Sequence, residues 1–170
     1  MNHLWSPWRM EYIENNNKVD GCVFCAVQEQ EDSAENLVAF RGEHAFVILN
    51  RFPYTSGHLM VVPCEHKPTL EELDSQTRAE MMELTTRCMA VLRKIYRPQA
   101  FNMGANIGEA AGAGIKEHVH IHIVPRWAGD TNFMSTVGET RVLPELLEDT
   151  FARLKKGFEE QQGLADFLGS

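Results

Sequence analysis

Three of the chain's seven histidines lie within one short stretch, His118-Val119-His120-Ile121-His122. In an extended strand the side chains alternate between the two faces of the sheet, so the three imidazoles project from one face and Val119 and Ile121 from the other. Neighbouring imidazoles are then expected about 7 Å apart. Valine and isoleucine suit a buried face, whereas a row of titratable rings adds nothing to packing. The pattern therefore predicts a chemically active face on this strand.

Two kinds of chemistry fit these three histidines. Imidazoles at positions i and i+2 of a strand can bind one zinc ion, and a catalytic zinc keeps a fourth position open. A glycine-rich loop, residues 104–114, precedes the histidines. The backbone amides of such a loop can hold a phosphate, which an imidazole could then attack. From the residues alone, metal binding and phosphoryl chemistry are equally open.

A second group with chemical potential is Cys22-Val23-Phe24-Cys25. Two cysteines at this spacing can form half of a tetrahedral zinc site, and the alternative is that they are small buried apolar residues. Cys64 and Cys88 are expected to be buried. Four cysteines in a chain of 170 residues do not suggest a disulfide framework.

Composition limits the partners that the chain can have. A formal net charge of −8 argues against a protein that binds the nucleic-acid backbone. No apolar run approaches the roughly 20 residues that cross a bilayer, and the first residues lack the charged-then-apolar order of a signal peptide. We therefore expect a cytoplasmic protein with neither a nucleic-acid nor a membrane partner.

The hydrophobic pattern predicts an α+β fold, with an antiparallel sheet of about five strands backed by helices. A long central helix is expected over 69–96, beginning with a capping box formed by Thr69 and Glu72, and a second helix over 143–158. The predicted strands are 36–40, 45–50, 57–62, 100–103 and about 118–125. An aromatic N-terminal arm, Leu4 to Ile13, is expected to dock on the core or on a partner subunit.

Two motifs together resemble a known family. The segment Asn50-Arg51-Phe52-Pro53-Tyr54-Thr55-Ser56-Gly57-His58-Leu59-Met60-Val61-Val62-Pro63, followed by the His118 to Val124 pattern, is similar to the histidine triad (HIT) superfamily. The arm and Pro125-Arg126-Trp127-Ala128-Gly129-Asp130-Thr131-Asn132-Phe133 resemble its prokaryotic branch of diadenosine polyphosphate phosphorylases and fragile-histidine-triad hydrolases. The resemblance implies a HIT domain over 36–133, with 1–35 packing on it and 134–170 as a helical extension.

The resemblance also implies a function. Members of the family transfer a nucleoside monophosphate through a covalent histidine intermediate, and they are typically homodimers whose sheets join across the interface. The expected substrates are adenine nucleotides such as AMP or dinucleoside polyphosphates. Whether water or orthophosphate resolves the intermediate stays open.

Site roles carry over residue by residue. By resemblance, His120 is the nucleophile, His122 contacts the phosphate oxygens, and His118 completes the catalytic triad. His58 matches the histidine that orients the triad from outside. The resemblance further assigns Asn50 to the ribose hydroxyls and a phosphate-binding loop to Asn106, Gly112 and Gly114.

One departure concerns the loop. Relatives that hydrolyse polyphosphates often carry glutamine before the triad, and some others carry serine, whereas this chain has Ala113-Gly114-Ile115. No residue is therefore assigned to protonate the leaving group.

The cysteine pair gains partners from the same resemblance. In several prokaryotic relatives the motif shares a structural zinc with two histidines, which correspond here to His66 and His118. If Cys22, Cys25, His66 and His118 bind zinc, His118 cannot also act as the general acid; no organic cofactor is expected. The alternatives are a zinc-dependent hydrolase that uses the triad as ligands, or a nucleotide-binding interaction module.

Overall fold

The sheet of this protein has five strands. The computed structural model describes residues 21–130 and 145–168, the last five of these by their backbone alone. The strands lie in the order β1-β2-β3-β5-β4, and all neighbours are antiparallel. Their bounds are Val38–Arg41 (β1), Ala45–Leu49 (β2), Leu59–Pro63 (β3), Ala100–Gly104 (β4) and Ile121–Arg126 (β5). The predicted α+β class with an antiparallel five-stranded sheet is confirmed.

Three α-helices accompany the sheet in the described ranges: α1 Val23–Gln28, α2 Ser75–Tyr96 and α3 Leu147–Leu168. Helix α2 packs on strands β2, β3 and β5, and α3 packs on α2 and β1. The rings of Phe40 in β1 and Phe158 in α3 stack with centroids 5.6 Å apart. None of the described helices is long and apolar enough to span a membrane.

The start of the long helix differs from the prediction. Residues Leu70–Glu72 form a separate 3-10 turn that ends at Leu73, and α2 begins only at Ser75. Its N-cap is Asp74, whose carboxylate accepts the Thr77 N–H at 2.7 Å. The capping box of Thr69 with Glu72 is wrong, because the Thr69 side chain caps no backbone N–H. An aspartate five residues later supplies the stronger cap.

The histidine strand is shorter than predicted. Pairing with the neighbouring strands begins at Ile121, so His118 and His120 precede β5. The backbone N–H of Val119 nevertheless donates to the Lys67 carbonyl at 2.7 Å. His122 lies opposite Met60 on one side and Gly104 on the other. Paired residues point to the same face, so His122 and Met60 share a face, while Leu59, Val61 and Ile123 face α2.

Several expectations lie outside the described residues. These are the docking of the aromatic arm, the Thr131 to Phe133 part of the resemblance, and the start of the second helix at Leu143. The helix itself is observed and extends beyond the predicted end, to Leu168. The division into 1–35, 36–133 and 134–170 stays a prediction.

Candidate functional site

The orientation of His120 is set by a backbone carbonyl. Its Nδ1 lies 2.9 Å from the carbonyl oxygen of His118. Since a carbonyl only accepts, Nδ1 carries the proton, and Nε2 of the neutral ring keeps its lone pair. Burial lowers the pKa of His120, against the opposing effect of this hydrogen bond. The ring is therefore neutral at pH 7 and presents one nucleophilic nitrogen.

A chain of hydrogen bonds fixes the tautomer of His122. The Tyr54 N–H donates to Nδ1 of His58 at 3.2 Å, so His58 holds its proton on Nε2. That Nε2 lies 3.0 Å from Nδ1 of His122, which must accept. The remaining proton of His122 is therefore on Nε2. Burial, with a smaller effect of His120, lowers the pKa of His122 to about 4, so the ring is a neutral hydrogen-bond donor.

The triad does not line up at even spacing. The ring centroids of His120 and His122 are 4.8 Å apart, closer than the expected 7 Å. The His118 side chain points instead toward α1, where its Nδ1 lies 3.3 Å from Sγ of Cys22 and 3.7 Å from Sγ of Cys25. Its Nε2–H donates to the Pro63 carbonyl at 2.9 Å, which leaves the Nδ1 lone pair facing the thiols.

Four side chains meet around this point. Nδ1 of His66 lies 3.3 Å from Sγ of Cys25, and the ligand atoms of Cys22, Cys25, His66 and His118 are all within 4.8 Å of one another. A tetrahedral zinc with two sulfur and two nitrogen ligands separates its ligands by roughly 3.3–3.8 Å. The donor atoms suit zinc, and the Sγ–Nδ1 distances of 3.3, 3.3 and 3.7 Å fall in that range. Within the described ranges, the three triad histidines form no such group.

The thiols of this cluster favour a cation. Burial first, and then the neighbouring Cys22, raise the pKa of Cys25. A bound metal ion would offset this effect by stabilising the thiolate of Cys25.

Arg41, at the end of β1, holds helix α1 against the sheet. Its guanidinium donates to the carbonyls of Val27, Gln28 and Gln30, at the C-terminal end of α1, and forms an ion pair with Asp32 at 2.7 Å. Arg41 thus binds carbonyls at the helix end, where intrahelical partners run out. The contact positions both cysteines beside His118.

The loop between β2 and β3 positions His58. Gly57 has φ +80°, and a Cβ there would lie 2.9 Å from Leu92, so the turn before His58 needs glycine. The Thr55 hydroxyl donates to the Pro125 carbonyl at 2.9 Å and ties the loop to β5. The amide of Asn50 is engaged in the same loop, where its Oδ1 accepts the Phe52 N–H at 2.9 Å.

The glycine-rich loop closes on itself. A 3-10 turn, Glu109–Ala111, lies between Gly108 at φ +81° and Gly112 at φ +82°. The Gly112 N–H donates to the Glu109 carbonyl at 2.9 Å, so Gly112 contributes backbone shape rather than an open amide. Asn106 is half-buried just after β4, and Gly114 is exposed. The phosphate-binding role of these three residues stays a prediction.

Two residues at the site were missed by the sequence analysis. Phe24, which lies between Cys22 and Cys25 in the sequence, is buried. Its ring is edge-on to the rings of His118 and His120, with centroid distances of 5.3 and 5.1 Å. Tyr54 lies against His58 and His122. An aromatic residue inside a Cys-x-x-Cys motif, and another four residues before the orienting histidine, were the available signals.

Comparison with known proteins identifies the family of this chain. The HIT domain model matches residues 31–129, and the chain belongs to the HIT family. It is 39% identical over 158 residues to the AP-4-A phosphorylase of Mycobacterium tuberculosis, covering 88% of this chain and 80% of that protein. It is 31% identical over 125 residues to the Adenylylsulfatase HINT3 of Arabidopsis thaliana, covering 70% and 62%.

A solved structure bears on the metal cluster. A Zn-bound histidine triad family protein from Mycobacterium smegmatis superposes with a TM-score of 0.68 at 27% identity, covering 85% of this chain and 97% of that one. Zinc is thus present in a protein of the same family and fold.

Proposed function

We propose that this HIT-family enzyme cleaves dinucleoside polyphosphates at an α-phosphorus and transfers the AMP group through His120 to orthophosphate. The observation that carries the proposal is the bond from His120 Nδ1–H to the His118 carbonyl, which directs the lone pair to Nε2. The resemblance to an AP-4-A phosphorylase supports both the substrate class and the acceptor.

The first step forms a phosphorus–nitrogen bond. Nε2 of His120 attacks the α-phosphorus while the bond to the polyphosphate leaving group breaks, and with diadenosine tetraphosphate the leaving group is ATP. The ring becomes positively charged, and the His118 carbonyl stabilises that charge through Nδ1–H. His122 donates its Nε2–H to phosphate oxygens, whose negative charge increases in the transition state. ATP departs as an anion, so the step needs no strong general acid.

The second step restores the enzyme. An oxygen of orthophosphate attacks the same phosphorus, the phosphorus–nitrogen bond breaks, and ADP leaves with His120 neutral again. Water in place of orthophosphate would give AMP instead.

Mass spectrometry and product analysis test both steps. With diadenosine tetraphosphate and no orthophosphate, acid-free quenching should show intact protein heavier by one AMP group, and the adduct should disappear on acid treatment. With orthophosphate, the products should be ATP and ADP. AMP and ATP at equal rates with and without orthophosphate would refute the phosphorylase assignment, and absence of the adduct would refute the covalent mechanism.

We also propose that Cys22, Cys25, His66 and His118 hold a structural zinc ion. All four positions of a tetrahedral site are then filled by protein, which is typical of structural rather than catalytic zinc. Bound zinc would supply the charge that keeps the two cysteines as thiolates. In this arrangement His118 contributes its ring to the metal and its carbonyl to His120. The reducing cytosol, where we expect the enzyme to act, would protect these thiols.

A homodimer formed through β4 is the third part of the proposal. β4 is an edge strand with exposed residues, and Met103 on it is 51% exposed. Unpaired edges readily pair with another chain. Met103→Lys should convert a dimer into a monomer of half the mass by light scattering, with an unchanged circular dichroism spectrum. Met82→Lys, at 50% exposure on α2, should stay dimeric; equal masses for both variants would contradict the interface.

A further inference from the structure

The ring of Tyr54 contacts His58 and His122, which are joined by a hydrogen bond. Its ring centroid lies 4.7 Å from that of His58, tilted by 34°, and 6.3 Å from that of His122, at an interplanar angle of 26°. Its backbone N–H donates to His58. The side chain is 38% exposed, while His58 beneath it is 1% exposed. The tyrosine ring is therefore placed between the imidazole pair and solvent.

The hydrogen bond alone holds His122 weakly. The terminal torsion of a histidine is broad and nearly two-fold, so a flip exchanges a nitrogen for a carbon at the position that faces His58. One net hydrogen bond favours one orientation by about tenfold. Contact with an aromatic ring does not distinguish the two flipped states, which lie in the same plane, but it restricts the tilt of that plane. A ring packed on both histidines therefore limits the tilting motion of the pair about its hydrogen bond.

The surroundings of His122 explain why the ring also matters for protonation. The described titratable side chains in ring contact with His122 are His58 and Tyr54, both from the β2–β3 loop, and His120, which directly precedes β5. On the β4 side the paired residue is Gly104. Burial is the main cause that lowers the pKa of His122. Removing the covering ring admits water and weakens that cause.

We propose that Tyr54 is a positioning residue, whose ring covers the His58–His122 pair and holds the ring plane of His122 in the orientation that donates Nε2–H to substrate. The aromatic ring, rather than the hydroxyl, performs this role. The proposal rests on the proposed function only for the identity of the substrate.

Nitrogen-15 NMR of the imidazoles in the ligand-free, metal-loaded protein provides a test that does not depend on turnover. In the wild type, His58 and His122 should each show a proton on Nε2, and His122 should titrate well below pH 6.5. Tyr54→Ala should broaden or split the His122 signals and raise its pKa by about one unit. Tyr54→Phe should restore the wild-type pattern. Phe52→Ala, which removes an aromatic ring of equal exposure from the same loop, is the matched control.

Kinetics separate positioning from substrate contact. Tyr54→Ala should lower kcat about tenfold and change KM little, with Tyr54→Phe close to wild type. Unchanged imidazole spectra in Tyr54→Ala would overturn the proposal. The proposal would also be overturned if Tyr54→Ala raised only KM, and did so only for substrates with a nucleoside on the leaving group. That result would indicate that the Tyr54 ring stacks on the substrate. If no nucleotide is turned over, the proposed function fails, while the NMR result still decides the role of Tyr54.

Discussion

His120→Ala is expected to lower kcat for a dinucleoside polyphosphate by at least about 10⁴-fold. His120 is neutral, its proton is held on the far side by a carbonyl at 2.9 Å, and a second histidine lies 4.8 Å away. His118 has a similar carbonyl bond, but its lone pair faces the thiols of Cys22 and Cys25. Water would have to attack phosphorus directly, without the covalent step that divides the reaction. The measurement is initial rate by separation of nucleotides.

Nucleotide binding should survive the same change. Because the substituted ring supplies the attacking atom rather than a large binding surface, AMP should bind His120→Ala within a few-fold of wild type by calorimetry. His120→Gly should regain part of its activity when imidazole is added, since the small base can occupy the cavity. His44→Ala, which removes a histidine in the β1–β2 turn, should retain full activity. Wild-type turnover in His120→Ala would exclude the proposed mechanism.

Loss of the metal cluster should have the second large effect. Cys22→Ser with Cys25→Ser removes both sulfur ligands, and the purified variant should lack the one equivalent of zinc expected in the wild type. Zinc that binds only the folded state stabilises it by about 4 kcal/mol when free zinc is about 1,000 times its Kd. The melting temperature of the variant should fall accordingly, and elemental analysis and calorimetry measure both quantities.

The catalytic consequence follows from two contacts. The His118 carbonyl orients His120, and Phe24 lies between the cysteines with its ring against both histidines. The double variant should therefore show reduced kcat even below its melting temperature. Cys64→Ser, which changes a half-buried thiol outside the cluster, should keep its zinc and its stability.

Chelation distinguishes this site from a catalytic metal. Removing zinc from the wild type should lower its melting temperature together with activity. Reversible loss of activity with an unchanged melting temperature would instead support a metal hydrolase that uses the triad as ligands.

Local patterns were sufficient for much of the fold. Short apolar runs bounded by turn residues predicted the strands within a few positions, because both signals depend on local residue types. Spacings of three and four predicted the long helix for the same reason. The error at Thr69 and Glu72 is also local: two capping signals lie close together, and Asp74 bonds the Thr77 N–H better.

The identity of the reactive histidines was available from residue order, through the resemblance of two motifs. The roles of their nitrogens were not. Two of the three tautomers depend on a group distant in sequence: His122 on His58, 64 residues away, and His118 on Pro63, 55 residues away. The tautomer of His120 depends on the carbonyl of His118, two residues away. Only the packing of β3 beside β5 brings these acceptors and donors to the rings.

The sequence by itself determined that three imidazoles lie close together at the start of one strand, because alternation is a property of the local backbone. The tertiary structure decided that they differ. His118 turns to Cys22, 96 residues away, while His120 and His122 stay together. A lone pair is directed by whichever partner occupies the other ring nitrogen, and for His118 and His122 only the folded chain supplies that partner.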